Sequence, residues 1–305
     1  MRLSFFLVSC GFILLFSCQN TAPEDKPLAS KPIITYKSEL PKTTKDYWYN
    51  GTAEVSSYAL SQARYGEQRE GTAVLVYVTE PFSKESNTKA DQNSDANVSV
   101  LKLNATKKFN TGIYPYSMMT SSFYPIDVGD HSLKISSSSQ EWCGHTYMEL
   151  TNRAAFDIAI DSYFEGESNQ LTLDKSFLED DVWSIIRLRP DQLPMGEFEM
   201  IPSFFYLRLK HKKTKAYKAT ASFESKDASI EYSIAYPELE RTLSIEFSSD
   251  FPYQILGWTE SYSSGFGSNA KTMTTTAQKI KTLNTPYWQQ NSNQYLALRD
   301  SLGLK

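Results

Sequence analysis

Two neighbouring segments alternate strictly between apolar and polar residues, and this alternation constrains the fold more than any other feature of the sequence. Apolar side chains occupy every second position in 230–236 and again in 243–247, and Pro237 follows the first segment. Successive side chains of a β-strand point to opposite faces of a sheet, so each segment predicts a half-buried strand. Together the two segments predict an antiparallel pair joined by a turn.

The remaining patterns agree with a sheet built mainly from such pairs. Residues 72–79 form an apolar run on both faces, which predicts a central, buried strand. Shorter strand-like segments recur without regular helices between them, which favours antiparallel pairing. These segments are 53–65, 98–103, 156–161, 204–209, 216–223, 253–258 and 272–280.

Two helices are predicted. Ser176 and Glu179 have the spacing of a capping box before an apolar stripe, which predicts a helix over 177–188 that Pro190 ends. Thr285 and the proline after it predict the start of a second helix, which runs to the glycine at 303. We therefore expect a mainly β (α+β) fold, a curved antiparallel sheet or open half-barrel with two helices packed on its concave side.

The N-terminus has the features of a bacterial lipoprotein signal. Arg2 precedes an apolar run that is too short to span a membrane, and the run ends at Leu15, Phe16, Ser17 and Cys18. This ending resembles the lipobox, although Phe16 is bulkier than usual at its position. The resemblance implies cleavage before Cys18 and acylation of that cysteine. The alternative is an ordinary secretory signal with an incidental cysteine.

These features divide the chain into three parts: a signal peptide (1–17), a tether (18–45) and a single β-rich domain (46–305). Four prolines among polar residues predict that the tether is extended. Acyl chains on Cys18 would anchor the protein without a membrane-spanning helix. We expect a cell-envelope location, on the outer membrane facing the periplasm or the cell surface. The formal net charge of −4 argues against a nucleic-acid partner.

Cys143 is the one cysteine left after the signal is removed and Cys18 is acylated, so it has no partner for an intramolecular disulfide. His145 lies two residues on and shares its face if the segment is a strand. If the serine run turns near Ser138, His131 lies opposite His145. A thiolate nucleophile with a histidine base is one reading. The other is a packed, inert cysteine.

No cofactor or metal is predicted. Asp130, His131, Cys143 and His145 include metal-ligating types, but they lack the spacing of known zinc sites. Residues 265–270 match the letters of a dinucleotide fingerprint, yet they follow a polar loop and precede a strand-like segment. The sequence also lacks a P-loop and a GxSxG motif.

Residues 109–124 form an aromatic and methionine-rich stretch. Such a stretch usually belongs to the core, but it can also line an apolar pocket. The candidate ligand-binding residues are Tyr114, Tyr116, Met118, Met119 and Phe123.

Residues 47–51, 62–67 and 141–145 resemble segments of an uncharacterised group of bacterial lipoproteins, some labelled septum-formation inhibitor Maf. The Maf nucleotide pyrophosphatases carry a Ser-Arg-rich phosphate-binding motif near the N-terminus, where this chain has a lipobox. The resemblance therefore implies an envelope lipoprotein and carries no pyrophosphatase activity.

The sequence predicts a non-catalytic, membrane-anchored envelope lipoprotein that binds an apolar ligand or an envelope partner. Two alternatives remain at this stage. One is a cysteine-dependent hydrolase or transferase that uses Cys143 and His145, and the other is a structural or assembly lipoprotein.

Overall fold

Sixteen β-strands dominate the computed structural model, which describes residues 39–92, 94–127 and 130–304. The strands are β1 (Ala53–Arg64), β2 (Glu67–Ser83), β3 (Thr88–Lys89), β4 (Asn97–Thr111), β5 (Tyr114–Pro125), β6 (Lys134–Glu141), β7 (Gly144–Asn152), β8 (Phe156–Ser162), β9 (Asn169–Leu173), β10 (Phe177–Leu178), β11 (Gly196–Ile201), β12 (Tyr217–Ser225), β13 (Ser229–Tyr236), β14 (Arg241–Ser248), β15 (Ile255–Ser264) and β16 (Lys271–Thr285). The helices are α1 (Lys42–Trp48), α2 (Glu179–Leu188), α3 (Phe204–Leu209) and α4 (Leu296–Ser301). The predicted signal, Cys18 and the first part of the tether lie outside the described residues.

All sixteen strands belong to one open sheet. Its order is β10-β11-β12-β13-β14-β15-β16-β1-β2-β4-β5-β6-β7-β8-β9, and β3 pairs with β2 beside this path. All pairs are antiparallel except β10 with β11. The predicted mainly β (α+β) class is confirmed, with four helices in the described residues rather than two.

The sheet curls back toward itself. Its two edge strands, β9 and β10, are consecutive in the chain, and only residues 174–176 separate Leu173 from Phe177. Four backbone steps span at most about 14 Å. The two edges therefore approach each other at this point, although they do not pair.

Helix α2 follows β10 directly and occupies the concave side of the sheet. Nine of its ten residues are buried, and Trp183 alone is partly exposed. It contacts both halves of the sheet, because Glu179 pairs with Arg241 of β14 and the Tyr77 hydroxyl of β2 donates to the Trp183 carbonyl at 3.1 Å. The helix therefore connects strands that are far apart in the chain.

The predicted capping box at the start of α2 does not form. Leu178 is the N-cap residue and makes no side-chain cap. The Ser176 hydroxyl is buried without a hydrogen-bond partner, and Glu179 binds the Arg241 guanidinium instead. A buried arginine outweighs a local backbone donor as a partner for a carboxylate.

Three further predictions were wrong at the level of local structure. Helix α1 begins at Lys42, and Leu40 is buried, so the folded region begins before residue 46. The segment 204–209 is helix α3 rather than a strand. Strand β16 continues to Thr285, which shortens the predicted C-terminal helix to α4.

Helix α3 was missed because its apolar residues surround the whole helix. Five of its six residues are buried, and an apolar run that is buried on all sides has no periodicity to separate helix from strand. Its N-terminus is capped from two directions. The Ser203 hydroxyl accepts from the Phe205 amide, and the Asp180 carboxylate accepts from the Phe204 amide at 3.1 Å.

One buried ion pair fixes α2 against β1. The Arg187 guanidinium donates to both carboxylate oxygens of Glu54, at 2.5 and 2.7 Å, and to the Pro252 carbonyl at 3.0 Å. The rings of Trp48 and Tyr77 lie about 5 Å from the same guanidinium. Burial alone would raise the pKa of Glu54, but Arg187 lowers it below its usual value. Both groups are therefore charged and mutually satisfied.

Removal of one partner of this pair should destabilise the protein strongly. We expect Arg187→Met to lower the free energy of unfolding by about 3–5 kcal/mol, because Glu54 would remain buried without its counter-charge. The double variant Glu54→Leu/Arg187→Met should recover part of that loss. Chemical denaturation measures these differences.

The matched control is Lys215→Met, which breaks the exposed pair between Lys215 and Glu238. Its effect should stay within about 1 kcal/mol. Equal losses in the control and in Arg187→Met would contradict the assigned role of the buried pair.

Candidate functional site

A cavity lies inside the curve of the sheet, where α2 and α3 face strands from both halves. Its lining includes the apolar residues Leu75, Leu103, Leu243, Phe205, Trp183 and Trp258. It also includes the polar residues Lys107, Ser122, Asp180, Arg241 and Glu260. Its combination of an apolar wall and a few converging polar groups is typical of small-molecule sites.

Most of the charges at the cavity already have partners. Arg241 donates to both carboxylate oxygens of Glu179, at 2.5 and 2.6 Å, and to Glu260 at 2.8 Å. The Tyr236 hydroxyl also donates to Glu179, at 2.7 Å. These hydrogen bonds hold the polar side chains of the cavity in one geometry, because the N–H groups of the planar Arg241 guanidinium point in fixed directions.

Lys107 is the exception among these charges. It is 7% exposed, and its Nζ lies 3.9 Å from the nearer Glu260 oxygen, which is too far for a hydrogen bond. The Phe205 ring lies 5.1 Å from the same nitrogen. Burial lowers the pKa of Lys107, while Glu260 opposes the shift. The ammonium group therefore faces the cavity with unused donors.

Ser122 adds a second unused polar group to the same cavity. The residue is 1% exposed, and its hydroxyl has no hydrogen-bond partner in the described part of the chain. Thr120, two residues earlier on β5, pairs instead with Ser137 at 2.8 Å. A buried polar group without a partner costs free energy, so the Ser122 hydroxyl and the Lys107 ammonium indicate an occupant that supplies acceptors.

The cavity volume limits the size of that occupant. About 40 Å³ is open to the centres of water-sized molecules. One water needs about 10–15 Å³ by this measure, so the cavity holds about three waters or a ligand with a few heavy atoms. A larger apolar ligand would need Trp183 or another wall residue to move.

Asp180 links the cavity to helix α3. Its carboxylate accepts from the Ser203 hydroxyl at 2.7 Å and from the Phe204 amide at 3.1 Å. Burial raises the pKa of Asp180 to about 7, although these two hydrogen bonds oppose the shift. The carboxyl group is therefore able to gain or lose a proton near neutral pH.

The predicted hairpin around Ser138 does not exist, because the serine run is strand β6. The turn lies at Trp142 and Cys143, and Gln140 pairs with His145 across it. Ser137 and Ser139 are buried on one face of β6, so the serines act as strand residues. Leu133 lies beside Asn152 and not opposite Cys143.

The structure does not bring Cys143 and the histidines together as a catalytic group. Cys143 and His145 are both exposed, and no hydrogen bond joins their side chains. A hydrogen bond with Glu141 raises the pKa of the Cys143 thiol, which disfavours the thiolate. His131 lies elsewhere, against Asp181 at 3.1 Å.

The aromatic and methionine stretch contributes to both faces of β5. Tyr116 and Met118 are buried in the core, whereas Met119 is 39% exposed and Phe123 contacts Phe82. Tyr114 is partly buried beside Tyr116. None of these five residues lines the cavity described above. The same strand contributes Ser122 to it.

Two of the cavity residues have a signal in the sequence pattern of their strands. On β4, Lys107 lies an even number of residues from Leu103 and Phe109 and therefore shares their face of the strand. On β15, Glu260 shares a face with Trp258 and Tyr262 in the same way. A charged residue in phase with an apolar strand face must be buried among apolar neighbours. Such positions mark candidate polar groups of an interior site.

The described residues show neither a metal-binding cluster nor a helix that could span a membrane. No group of three or more His, Cys, Asp or Glu side chains there could hold a metal ion. No helix in residues 39–92, 94–127 and 130–304 is long and apolar enough to cross a membrane. The predicted lipid attachment at Cys18 lies outside these ranges and stays a prediction.

Comparison of the chain with protein-family models, curated proteins and solved structures produced no match. The assignment of a function therefore depends on the geometry of the site.

The thiol of Cys143 should react slowly. In a chain that begins at Gln19, Cys143 is the single cysteine. We expect its alkylation by iodoacetamide at pH 7.5 to be slower than that of glutathione, because Glu141 suppresses the thiolate. Glu141→Gln should accelerate the reaction, whereas the control Glu165→Gln, on a neighbouring loop, should not. Faster alkylation than glutathione would instead support the nucleophile hypothesis.

Asp180 should make stability depend on pH. Its pKa is higher in the folded protein than in the unfolded chain, so the folded state holds the extra proton between about pH 4 and pH 7. Over this window its contribution to stability falls as pH rises, by up to about 1.4 kcal/mol per pH unit.

We therefore expect Asp180→Asn to gain stability relative to the wild type as pH rises from 4 to 7. Denaturation curves at several pH values measure the difference, and the exposed Asp161→Asn is the control. Parallel pH profiles for the wild type and Asp180→Asn would contradict the assignment.

Proposed function

We propose that the protein is a non-catalytic, lipid-anchored protein of the bacterial envelope that binds a small amphipathic ligand in the cavity beside Lys107. The observation that supports this function is the pair of unused polar groups, the Lys107 ammonium and the Ser122 hydroxyl, in one cavity. The signal-like N-terminus with Cys18 supports the envelope location.

The chemistry of the cavity selects the ligand class. The Lys107 and Ser122 groups donate hydrogen bonds, so the ligand presents an acceptor such as a carboxylate. Trp183, Trp258 and Leu103 offer an apolar surface to the rest of it. The cavity size favours a short chain, which makes small carboxylic acids such as propionate and butyrate the first compounds to test.

The pKa of Asp180 is consistent with an anionic ligand. Glu179 and Glu260 balance Arg241 and Lys107, so Asp180 decides the net charge around the cavity. A carboxylate that binds at Lys107 disfavours a second negative charge nearby and so favours protonated Asp180. Binding of the ligand near pH 7 should therefore be accompanied by the uptake of a fraction of a proton by Asp180.

The test is a titration with butyrate followed by fluorescence, because Trp183 and Trp258 line the cavity. We expect saturable binding that Lys107→Met weakens at least tenfold, since hydrogen bonds to charged groups contribute about 1.5–3 kcal/mol. Lys108→Met is the matched control, because Lys108 is exposed on the opposite face of β4. Butyramide should bind more weakly than butyrate.

Two results would overturn the proposal. One is the absence of saturable binding of propionate or butyrate, which would leave the cavity as a site for buried water only. The other is an equal effect of Lys107→Met and Lys108→Met on the affinity.

A further inference from the structure

The four most exposed large apolar side chains of the described residues lie at one end of the sheet. They are Ile113, Phe266, Trp142 and Tyr163, with exposed fractions of 84%, 75%, 68% and 67%. Each lies in the connection between two paired strands, namely β4 and β5, β15 and β16, β6 and β7, and β8 and β9. These connections and the β1–β2 turn share an end, because successive turns of an antiparallel meander alternate between its two ends.

Ring contacts extend this set of turns into one surface, which we call the aromatic rim. Tyr65, in the β1–β2 turn, stacks on Phe266 with ring centroids 5.7 Å apart. Trp142 lies 6.4 Å from Tyr114 at the next turn. The Tyr163 ring covers Gly144, where an added Cβ would lie 2.3 Å from a ring carbon. Five hairpins that follow one another along the sheet thus place apolar side chains next to each other at this end.

We propose that the aromatic rim is a membrane-contact surface that inserts into the headgroup region of a phospholipid bilayer. Its side chains project from separate turns, three of them only two residues long, rather than lining a groove. A bilayer interface can solvate such tips without a complementary shape, and Trp and Tyr favour this environment.

The charges around the rim suit a headgroup layer. Lys212, Lys213 and Lys271 are exposed at this end, and none has a carboxylate partner in the described residues. Exposed Asp161 and Glu165 lie near Tyr163 in the chain. Flanking charges of both signs match zwitterionic phospholipids, which carry both signs in one headgroup.

The chain length allows the rim to reach the membrane that would hold the predicted lipid. Strand β1 begins at the opposite end, after α1, so the tether enters the domain far from the rim. The longest strand, β2, has 17 residues and a length of at most about 56 Å. Twenty-one backbone steps separate Cys18 from residue 39, and a fully extended chain of that length would span at most about 70 Å.

The experiment uses the chain from Gln19 onward, which lacks the lipid but keeps every core residue from Leu40 to Leu302. It is sedimented with vesicles of phosphatidylethanolamine and phosphatidylglycerol. We expect Ile113→Ser/Trp142→Ser/Tyr163→Ser/Phe266→Ser to lower the bound fraction at least tenfold. The control is Tyr147→Ser/Tyr287→Ser/Leu296→Ser, which removes exposed apolar groups outside the rim.

A second variant protects the test against misfolding of the first. Trp142→Phe should keep the binding but lose most of the fluorescence quenching by brominated lipids, because it removes the tryptophan of the rim. Thermal melts of each variant confirm the fold.

Four results would overturn the proposal. They are no sedimentation of the chain, equal sedimentation of the rim and control variants, binding that 0.5 M salt abolishes, and loss of a co-purifying protein in the rim variant with vesicle binding unchanged. None of these results depends on butyrate binding at Lys107.

Discussion

The position of α2 depends on the buried pair between Arg187 and Glu54. A helix with nine buried residues could slide or rotate inside a curved sheet with little change in apolar contact. The two-pronged hydrogen bond between guanidinium and carboxylate removes this freedom, because it requires one distance and one orientation. The rings of Trp48 and Tyr77 enclose the same group and exclude water from it.

The second buried arginine acts from β14, which lies three strands along the sheet from β1. Arg241 of β14 binds Glu179, at the start of α2, while Arg187 near the end of α2 binds β1. The helix is therefore held at both ends, and the cavity lies beside its first turn. This arrangement explains why Lys107 stands out, since it makes no hydrogen bond to Glu260 whereas every guanidinium nitrogen of Arg241 donates one. A buried charge without a hydrogen bond is costly in stability, and function is the usual reason to keep one.

Local patterns in the sequence were sufficient to predict much of the fold. The alternation in 230–236 and 243–247 corresponds to the paired strands β13 and β14, and the apolar run 72–79 lies within central strand β2. The patterns could not predict a helix that is buried on all sides, such as α3. They also could not predict the partner of a polar residue when that partner is remote in the chain. Glu179 was expected to cap its own helix, yet its partner Arg241 is 62 residues away.

The candidate site could not be predicted as a unit for the same reason. Lys107, Ser122 and Glu260 meet because β4, β5 and β15 curve around α2, and no local spacing records that curvature. Lys107 and Glu260 could each be recognised in the sequence, because each shares a strand face with apolar residues. Cys143 and His145 are candidates by residue type alone, and the structure places Cys143 on an exposed turn and His145 at the exposed start of β7.

The pairing of β1 with β16 has a consequence for the order in which the chain folds. Nearly every other strand pairs with its neighbour in the chain, but this pairing joins residues 53–61 to residues 276–285. The meander of β1–β9 consists of local pairs, so it can form while the free edge of β1 still lacks its partner. The non-local pairing with β16 slows the completion of the sheet and leaves an open strand edge until it forms. A chaperone that covers the exposed edge of β1 until β16 pairs with it would therefore favour correct folding.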